Sequence, residues 1–326
     1  MSFPALRVSA RGQPAEPTTL ETSQLPAQEL LVQVHYSSLN YKDALAVTGA
    51  APVVRSFPMV PGIDLAGIVI ESSVADFRAG DEIISTGSGL GETSWGGYAG
   101  YARIPARVAL RLAPGLTSWN AMAFGTAGLT AMLCVQALEA HGLPAQAPVV
   151  VSGASGGVGS IAIQLLTLAG HRVTAISGKE SQHDYLRRLG AAEILPRASL
   201  TITPEKTLLT ERWAGGIDTV GGDLLAGMLR SITTGGTVAA CGMAGGGALP
   251  TSVYPFILRG VALQGIACSI SPTAQKMAAW TRLARSVPQD VLAAVTQTIA
   301  LAQVPAFAAR MLASQLSGRV VVDLAL

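Results

Sequence analysis

The stretch V-V-V-S-G-A-S-G-G-V-G-S-I-A-I-Q-L-L-T-L-A-G, Val149 to Gly170, constrains the fold more than any other part of the 326-residue chain. Val149, Val150 and Val151 form a continuous β-branched run, the pattern of a strand covered on both faces. From Ser160 apolar residues fill an eleven-residue segment closed by Gly170, which predicts a helix with a glycine cap. Between the two, Ala154-Ser155-Gly156-Gly157-Val158-Gly159 fits G-x-G-x-x-G with alanine at the first place. So bare a backbone can approach a pyrophosphate at a helix N-terminus, where oriented N–H groups and the helix dipole hold the anion. A glycine-rich turn without a ligand has the same composition, but strand and helix lie here where the motif needs them. Dinucleotide binding is therefore expected, with Ser155, Gly156, Gly157, Val158 and Gly159 as contacts.

His171 to Ile176 reads as the second strand, and at its end NAD-binding proteins usually carry an acidic residue for the ribose hydroxyls. Ser177-Gly178-Lys179 stands there instead. A carboxylate would repel a 2′-phosphate, whereas a hydroxyl, a glycine amide and an ammonium can all donate to one. The expected cofactor is NADPH. The alternative is that Glu180 binds ribose while Lys179 faces water. Arg197 either adds a cation or covers the adenine, or lies in a solvated loop.

The length suits two domains. Half the residues are apolar and 13% are charged, with net charge +2 and no long basic run, so there is no footprint for nucleic acid. Cys134, Cys241 and Cys268 show no C-x-x-C spacing and read as buried free thiols. The opening M-S-F-P-A-L-R-V lacks a signal-peptide core, and no apolar span reaches roughly 18 uninterrupted residues. A soluble cytoplasmic protein that does not engage membranes is expected.

Residues 1–125 are rich in proline and glycine, with short alternating stretches at Glu29 to His35 and Ile68 to Glu71 that suit a compact β domain. From Thr126 helix-like and strand-like segments alternate: Leu129 to Ala140, the opening strand and helix, Gln182 to Leu189, Gly216 to Val220, Asp223 to Ser231 and Gly236 to Cys241. That alternation predicts an α/β unit with a parallel sheet wrapped by helices. Leu263 to Cys268 reads as its last strand. Ala274 to Arg285 and Gln289 to Ala302 read as helices, before a strand-like tail, Arg319 to Leu324, that can return to the first domain.

S-S-L-N-Y-K-D-A-L-A-V-T-G, F-P-M-V-P-G-I-D-L-A-G, W-G-G-Y-A, G-T-A-G-L-T-A-M-L-C-V, S-G-A-S-G-G-V-G, I-D-T-V-G-G and L-P-T-S-V-Y-P-F-I-L-R-G-V resemble the quinone-oxidoreductase branch of the zinc-free medium-chain dehydrogenase/reductases. The resemblance spans nearly the entire chain in order. It implies a GroES-like β catalytic domain, residues 1–125 and 269–326, and an inserted Rossmann domain with a doubly wound parallel sheet, residues 126–268. It also implies a homodimer joined through the final Rossmann strand, with NADPH as cofactor. Aligned with the zinc-ligand patterns of metal-dependent relatives, Asn40, Ile63 and Thr126 replace the cysteine, histidine and cysteine, and that set makes no tetrahedral zinc site. Conjugate reduction needs no metal. Hydride passes to the β-carbon of an α,β-unsaturated carbonyl, hydrogen-bond donors stabilise the enolate oxygen, and the α-carbon is protonated.

The resemblance places Tyr41 at the nicotinamide pocket, where its phenol can donate to an enolate or orient the carboxamide, or simply pack. Asn40 can supply a second donor, and Asp43 braces the loop or pairs with Lys42. Asp64 reads as structural support. Trp95-Gly96-Gly97-Tyr98 either walls the substrate mouth or makes a β-bulge beside a core tryptophan. Thr126 and Thr130 begin a helix, and either hydroxyl can reach the cofactor or cap that helix. Cys241 to Gly247, with Met243, suits a loop over the nicotinamide ribose. By resemblance, Ile266 to Ser269 line the nicotinamide end, and Ser314 stands where relatives carry an amide near the cofactor. Arg319 can neutralise a phosphate or lie in solvent. The four histidines share no spacing, and no catalysis is assigned to them.

The function implied is NADPH-dependent reduction of an α,β-unsaturated thioester, acryloyl-coenzyme A to propanoyl-coenzyme A. A broader quinone or enone reductase and a non-catalytic NADPH-binding redox sensor are the alternatives.

Overall fold

The computed structural model describes residues 1–200 and 207–325. Two compact units divide the chain: Met1–Thr126 with Ser269–Leu326, and Ala127–Cys268. The first opens with an antiparallel pair, β1 (Ser2–Arg7) and β2 (Glu16–Glu21), and continues through β3 (Leu30–Ser38), helix α1 (Tyr41–Thr48), β4 (Asp64–Ser72), β5 (Glu82–Thr86), β6 (Tyr101–Ile104) and β7 (Leu110–Arg111). Helix α2 (Ser118–Ala140) runs from the first unit into the second. Among the described residues it alone is long and apolar enough to cross a membrane, and most of its apolar length is buried inside the protein.

The second unit holds β8 (Pro148–Val151), α3 (Gly157–Leu168), β9 (Arg172–Ile176), α4 (His183–Arg188), β10 (Glu193–Leu195), β11 (Trp213–Asp218), α5 (Gly222–Ser231), β12 (Ile232–Ala240), α6 (Tyr254–Arg259) and β13 (Ala262–Gly265). Its six strands are all parallel, in the order β10-β9-β8-β11-β12-β13. That is the doubly wound order, in which the chain reverses its direction of travel across the sheet beside β8. Val150, Ile176, Trp213, Met228 and Val238 anchor its core.

The chain returns to the first unit through α7 (Thr273–Ser286), α8 (Gln289–Ala293), β14 (Thr296–Ala300), α9 (Val304–Leu312) and β15 (Arg319–Asp323). There β14-β15-β3-β4-β5-β7 form one sheet, with β6 also on β3. Val320, Val321 and Val322 of β15 are fully buried, so the last strand fills the core that β3 and β4 began.

Several expectations need correction. Gln289 to Ala302 is not one helix: α8 stops at Ala293 and Thr296–Ala300 is β14, parallel to β15. The apolar edge of β15 required a partner, and that pairing overrode local helix preference. The last parallel strand ends at Gly265, and Cys268 opens a 3-10 turn. Thr126 opens the second of two helical stretches that meet in α2 at the break at Gly125 (φ 53°, ψ −158°), as expected, but the first stretch, from Ser118, was not anticipated. Trp95 to Tyr98 is no β-bulge. The backbone N–H groups of Gly96, Gly97 and Tyr98 donate to Val60, Gly62 and Pro61 carbonyls at 2.7, 2.8 and 3.0 Å.

Candidate active site

In the first unit two buried carboxylates organise everything around Tyr41. Asp64, fully buried at the start of β4, accepts four hydrogen bonds. Ser38 Oγ and Asn40 Nδ2 donate to its Oδ2 at 2.5 and 2.8 Å. Thr126 donates its N–H to Oδ2 at 2.8 Å and its hydroxyl to Oδ1 at 2.5 Å. Asp43, in the first turn of α1, accepts from Asn40 N and Nδ2 at 3.0 Å each and from Ile63 N at 2.8 Å. Of the three positions aligned with zinc ligands, Asn40 is thus bonded to both aspartates, Ile63 to Asp43 and Thr126 to Asp64. Among the described residues no cluster of three or more His, Cys, Asp or Glu side chains could hold a metal ion.

Burial, then the neighbouring Asp64 carboxylate, push the Asp43 pKa up to about 7, against the pull of the bonds from Ile63 and Asn40. Tyr98, whose phenol donates to Ser38 O at 3.0 Å, is held well above its ordinary value by burial and then by Asp43 and Asp64. Arg319 supplies the buried positive charge. It is 2% exposed, donates Nε to Ala123 O at 2.9 Å, and therefore neither lies in solvent nor meets a phosphate there. Gly125 explains how these groups come so close. A Cβ at that position would stand 2.6 Å from Ser38 Oγ, 2.7 Å from Asp64 Oδ2 and 2.8 Å from Arg319 Nη2. Only glycine fits, and only glycine takes that backbone without cost.

Tyr41 is the first residue of α1 and is half exposed, so its ring is open to a ligand. Asn40 is different. Its amide N–H groups go to Ser38 Oγ, Asp43 and Asp64, which makes it a positioning residue for Tyr41 rather than a second donor to substrate. Lys42 pairs with Glu92 at 2.9 Å, not with Asp43. The hydroxyl of Thr126 is spent on Asp64. Ser269 and Ser314 lie in this unit as well, Ser314 exposed just past α9 with a left-handed φ of 58°.

In the second unit the glycine turn joins β8 to α3, with Gly156 at the N-cap and Gly157 the first helical residue. A Cβ on Gly159 would stand 2.4 Å from Gly153 O, so helix and turn pack backbone to backbone, leaving Ser155 to Val158 at the helix mouth. Asp218 secures the neighbouring turn after β11. It accepts from Ser152 Oγ at 2.6 Å and Gly221 N at 2.8 Å, while burial raises its pKa. At the end of β9, Ser177 Oγ accepts from Lys179 N at 3.2 Å. The Arg197 side chain lies against Gly178, its Cδ and Nε 3.6 Å from where a Cβ would be. Ser177, Gly178, Lys179 and Arg197 are therefore brought together beside the glycine turn's strand. Met243 and Ile266 follow the C-terminal ends of β12 and β13, the same edge of the sheet, and Thr130 is buried in α2. This donor set, with a turn too tight for side chains, fits a phosphorylated dinucleotide.

Two features escaped sequence reading. The aspartate network joins residues far apart in the chain, and short polar residues beside turns give no sign of it. The three cysteines come together as free thiols, and a hydrogen bond of the Cys134 thiol to Cys241, then burial, raise its pKa well above the usual value.

One chain that holds a glycine-turn parallel sheet and a second sheet unit carrying an exposed tyrosine defines a two-domain medium-chain dehydrogenase/reductase. Residues 26–114 match the alcohol dehydrogenase GroES-like domain and residues 157–282 the zinc-binding dehydrogenase family. The chain is 48% identical to the probable acrylyl-CoA reductase AcuI of Escherichia coli (strain K12), over 93% of this chain and 94% of that one. It is 46% identical to the acrylyl-CoA reductase AcuI of Ruegeria pomeroyi, over 93% and 92% of the two chains. The yhdH oxidoreductase of Salmonella enterica, solved in complex with NADP, superposes with a TM-score of 0.95 at 49% identity, covering 99% of each chain. The chain belongs to the medium-chain dehydrogenase/reductase family, in its branch of AcuI- and YhdH-type oxidoreductases.

Proposed function

We propose that this protein is an NADPH-dependent reductase of the carbon–carbon double bond of acryloyl-coenzyme A, giving propanoyl-coenzyme A. The observation that carries the reading is near full-length likeness, at 48% and 46% identity, to two proteins named acrylyl-CoA reductases. Ser155 to Gly159 would hold the pyrophosphate, and Ser177, Gly178, Lys179 and Arg197 the 2′-phosphate. Bound NADPH supplies a hydride. The chain's own contribution is placement and charge: Asp43 and Asp64 fix the head of α1, and Tyr41 presents a phenol that can donate to an oxygen gaining negative charge. Assays of NADPH oxidation test the reading. Turnover of acryloyl-coenzyme A should far exceed that of simple quinones, with propanoyl-coenzyme A identified by mass; an equal or reversed preference overturns it.

The same reading includes a homodimer. Among the described residues strand β13 is an open edge of the parallel sheet, and α6 with the Val253 that precedes it exposes Val253, Ile257 and Leu258. Unpaired edges and clustered exposed apolar side chains favour a second copy as occupant.

A further inference from the structure

A cavity of about 420 Å³ opens in the first unit, lined by Lys42, Arg55, Ser88, Glu92, Arg107 and Ser269 among others. Its charge is one-sided. Glu92 is the only acid in its wall and is already engaged by Lys42 at 2.9 Å. Arg55 and Arg107 are exposed and, among the described residues, neither stands within ion-pair distance of a carboxylate. A further cation stands behind the wall: Lys276, 6% exposed, donates Nζ to Ser88 Oγ at 2.9 Å and to Ser269 O at 3.1 Å. The loop carrying Ser88 turns through left-handed residues Gly87, Ser88 and Gly89, and Arg55 N donates to Glu92 O at 2.8 Å, so the arginine's segment is tied to that loop.

The substrate's acyl group has only three carbons. A small enone presents the same few reacting atoms, so the acyl group itself can contribute little discrimination. Discrimination between a thioester and any small enone must come from the carrier, whose distinguishing feature is phosphate. Guanidinium groups are the side chains best matched to phosphate oxygens, and a wall lined by one sign of charge concentrates the attraction. We propose that this cavity anchors the phosphates of coenzyme A through Arg55 and Arg107, an assignment that rests on the thioester reading above. Lys42, next in the chain to Tyr41, sets the cavity beside the first turn of α1, so a carrier held there delivers its acyl end to the tyrosine's helix.

Calorimetry with coenzyme A on protein saturated with NADP⁺ tests the site while the nucleotide turn is blocked. Arg55→Ala and Arg107→Ala should each raise Kd about tenfold and the double variant about a hundredfold, in line with lost charged hydrogen bonds. Raising salt from about 50 to about 300 mM should weaken wild type but scarcely affect the double variant. In turnover, kcat/KM for acryloyl-coenzyme A relative to that for acryloyl-pantetheine, which lacks phosphate, should fall in the same proportion. A double variant that binds coenzyme A within about twofold of wild type overturns the site, as does an equal loss with both thioesters. Tight, arginine-dependent binding of coenzyme A without reduction of its acryloyl ester would leave the site standing and remove the reaction. Reduction that is indifferent to both arginines would do the reverse.

Discussion

Tyr41 stands at the head of a helix whose first turn Asp43 ties to the backbone of Ile63. Replacing it with phenylalanine should lower kcat at least about tenfold while the KM for NADPH stays within about twofold, as expected where one donor meets developing charge. Lys179→Ala should raise the KM for NADPH about tenfold and leave that for NADH nearly unchanged, because only the former carries the 2′-phosphate. Asp43 gives a pH signature. Its folded pKa of about 7 lies above the ordinary carboxylate value, so the folded state binds the proton more tightly than the unfolded state between about pH 4 and 7. Stability from this group therefore declines as pH rises through that window and is level above it. Urea unfolding across pH should show a shallower decline for Asp43→Asn than for wild type. At this scale the glycine turn was legible because it constrains the backbone itself. Asp43 and Asp64 were visible only as residues near turns, since their partners come from the end of β3, the residues just before α1 and β4, and α2. Lys276 gave no sign of burial, because a lysine on an amphipathic helix ordinarily faces water.

Among the elements, α2 shows how far a boundary can move. Its stretch after the break, from Thr126, was readable, but the turns from Ser118 to Phe124 were not, since Gly125 interrupts the apolar periodicity with a backbone that essentially only glycine tolerates. Gly125→Ala should destabilise the protein by about 2 kcal/mol or more, combining left-handed strain with a clash against Ser38, Asp64 and Arg319. The midpoint of chemical unfolding measures this, and Gly142→Ala, whose Cβ would meet nothing within 4 Å, separates backbone strain from collision. Strand β14 was misread for the opposite reason. Thr296–Ala300 has no strong pattern of its own and becomes a strand only because β15 offers an edge. The parallel strands β8 and β9 were read almost to the residue, because buried β-branched runs between helices have few other places to go.

For the whole molecule, the alternation of strands and helices after Thr126 was enough to expect a parallel sheet, and its order β10-β9-β8-β11-β12-β13 places the residues proposed for the cofactor at one edge. The seven-stranded sheet was less legible, for its pairings join residues at opposite ends of the chain. If β13 and α6 form the contact between copies, Ile257→Glu should shift sedimentation from dimer to monomer mass. An unchanged mass would remove that contact from the account. Strands distant in sequence meet in one sheet, where β15 lies against β3 and Arg319 enters beside Asp64 and Gly125. During synthesis on the ribosome, then, the nucleotide-binding half can fold as soon as it has emerged. The half that holds Tyr41 must wait, Asp64 lacking its guanidinium neighbour, until β15 has been translated.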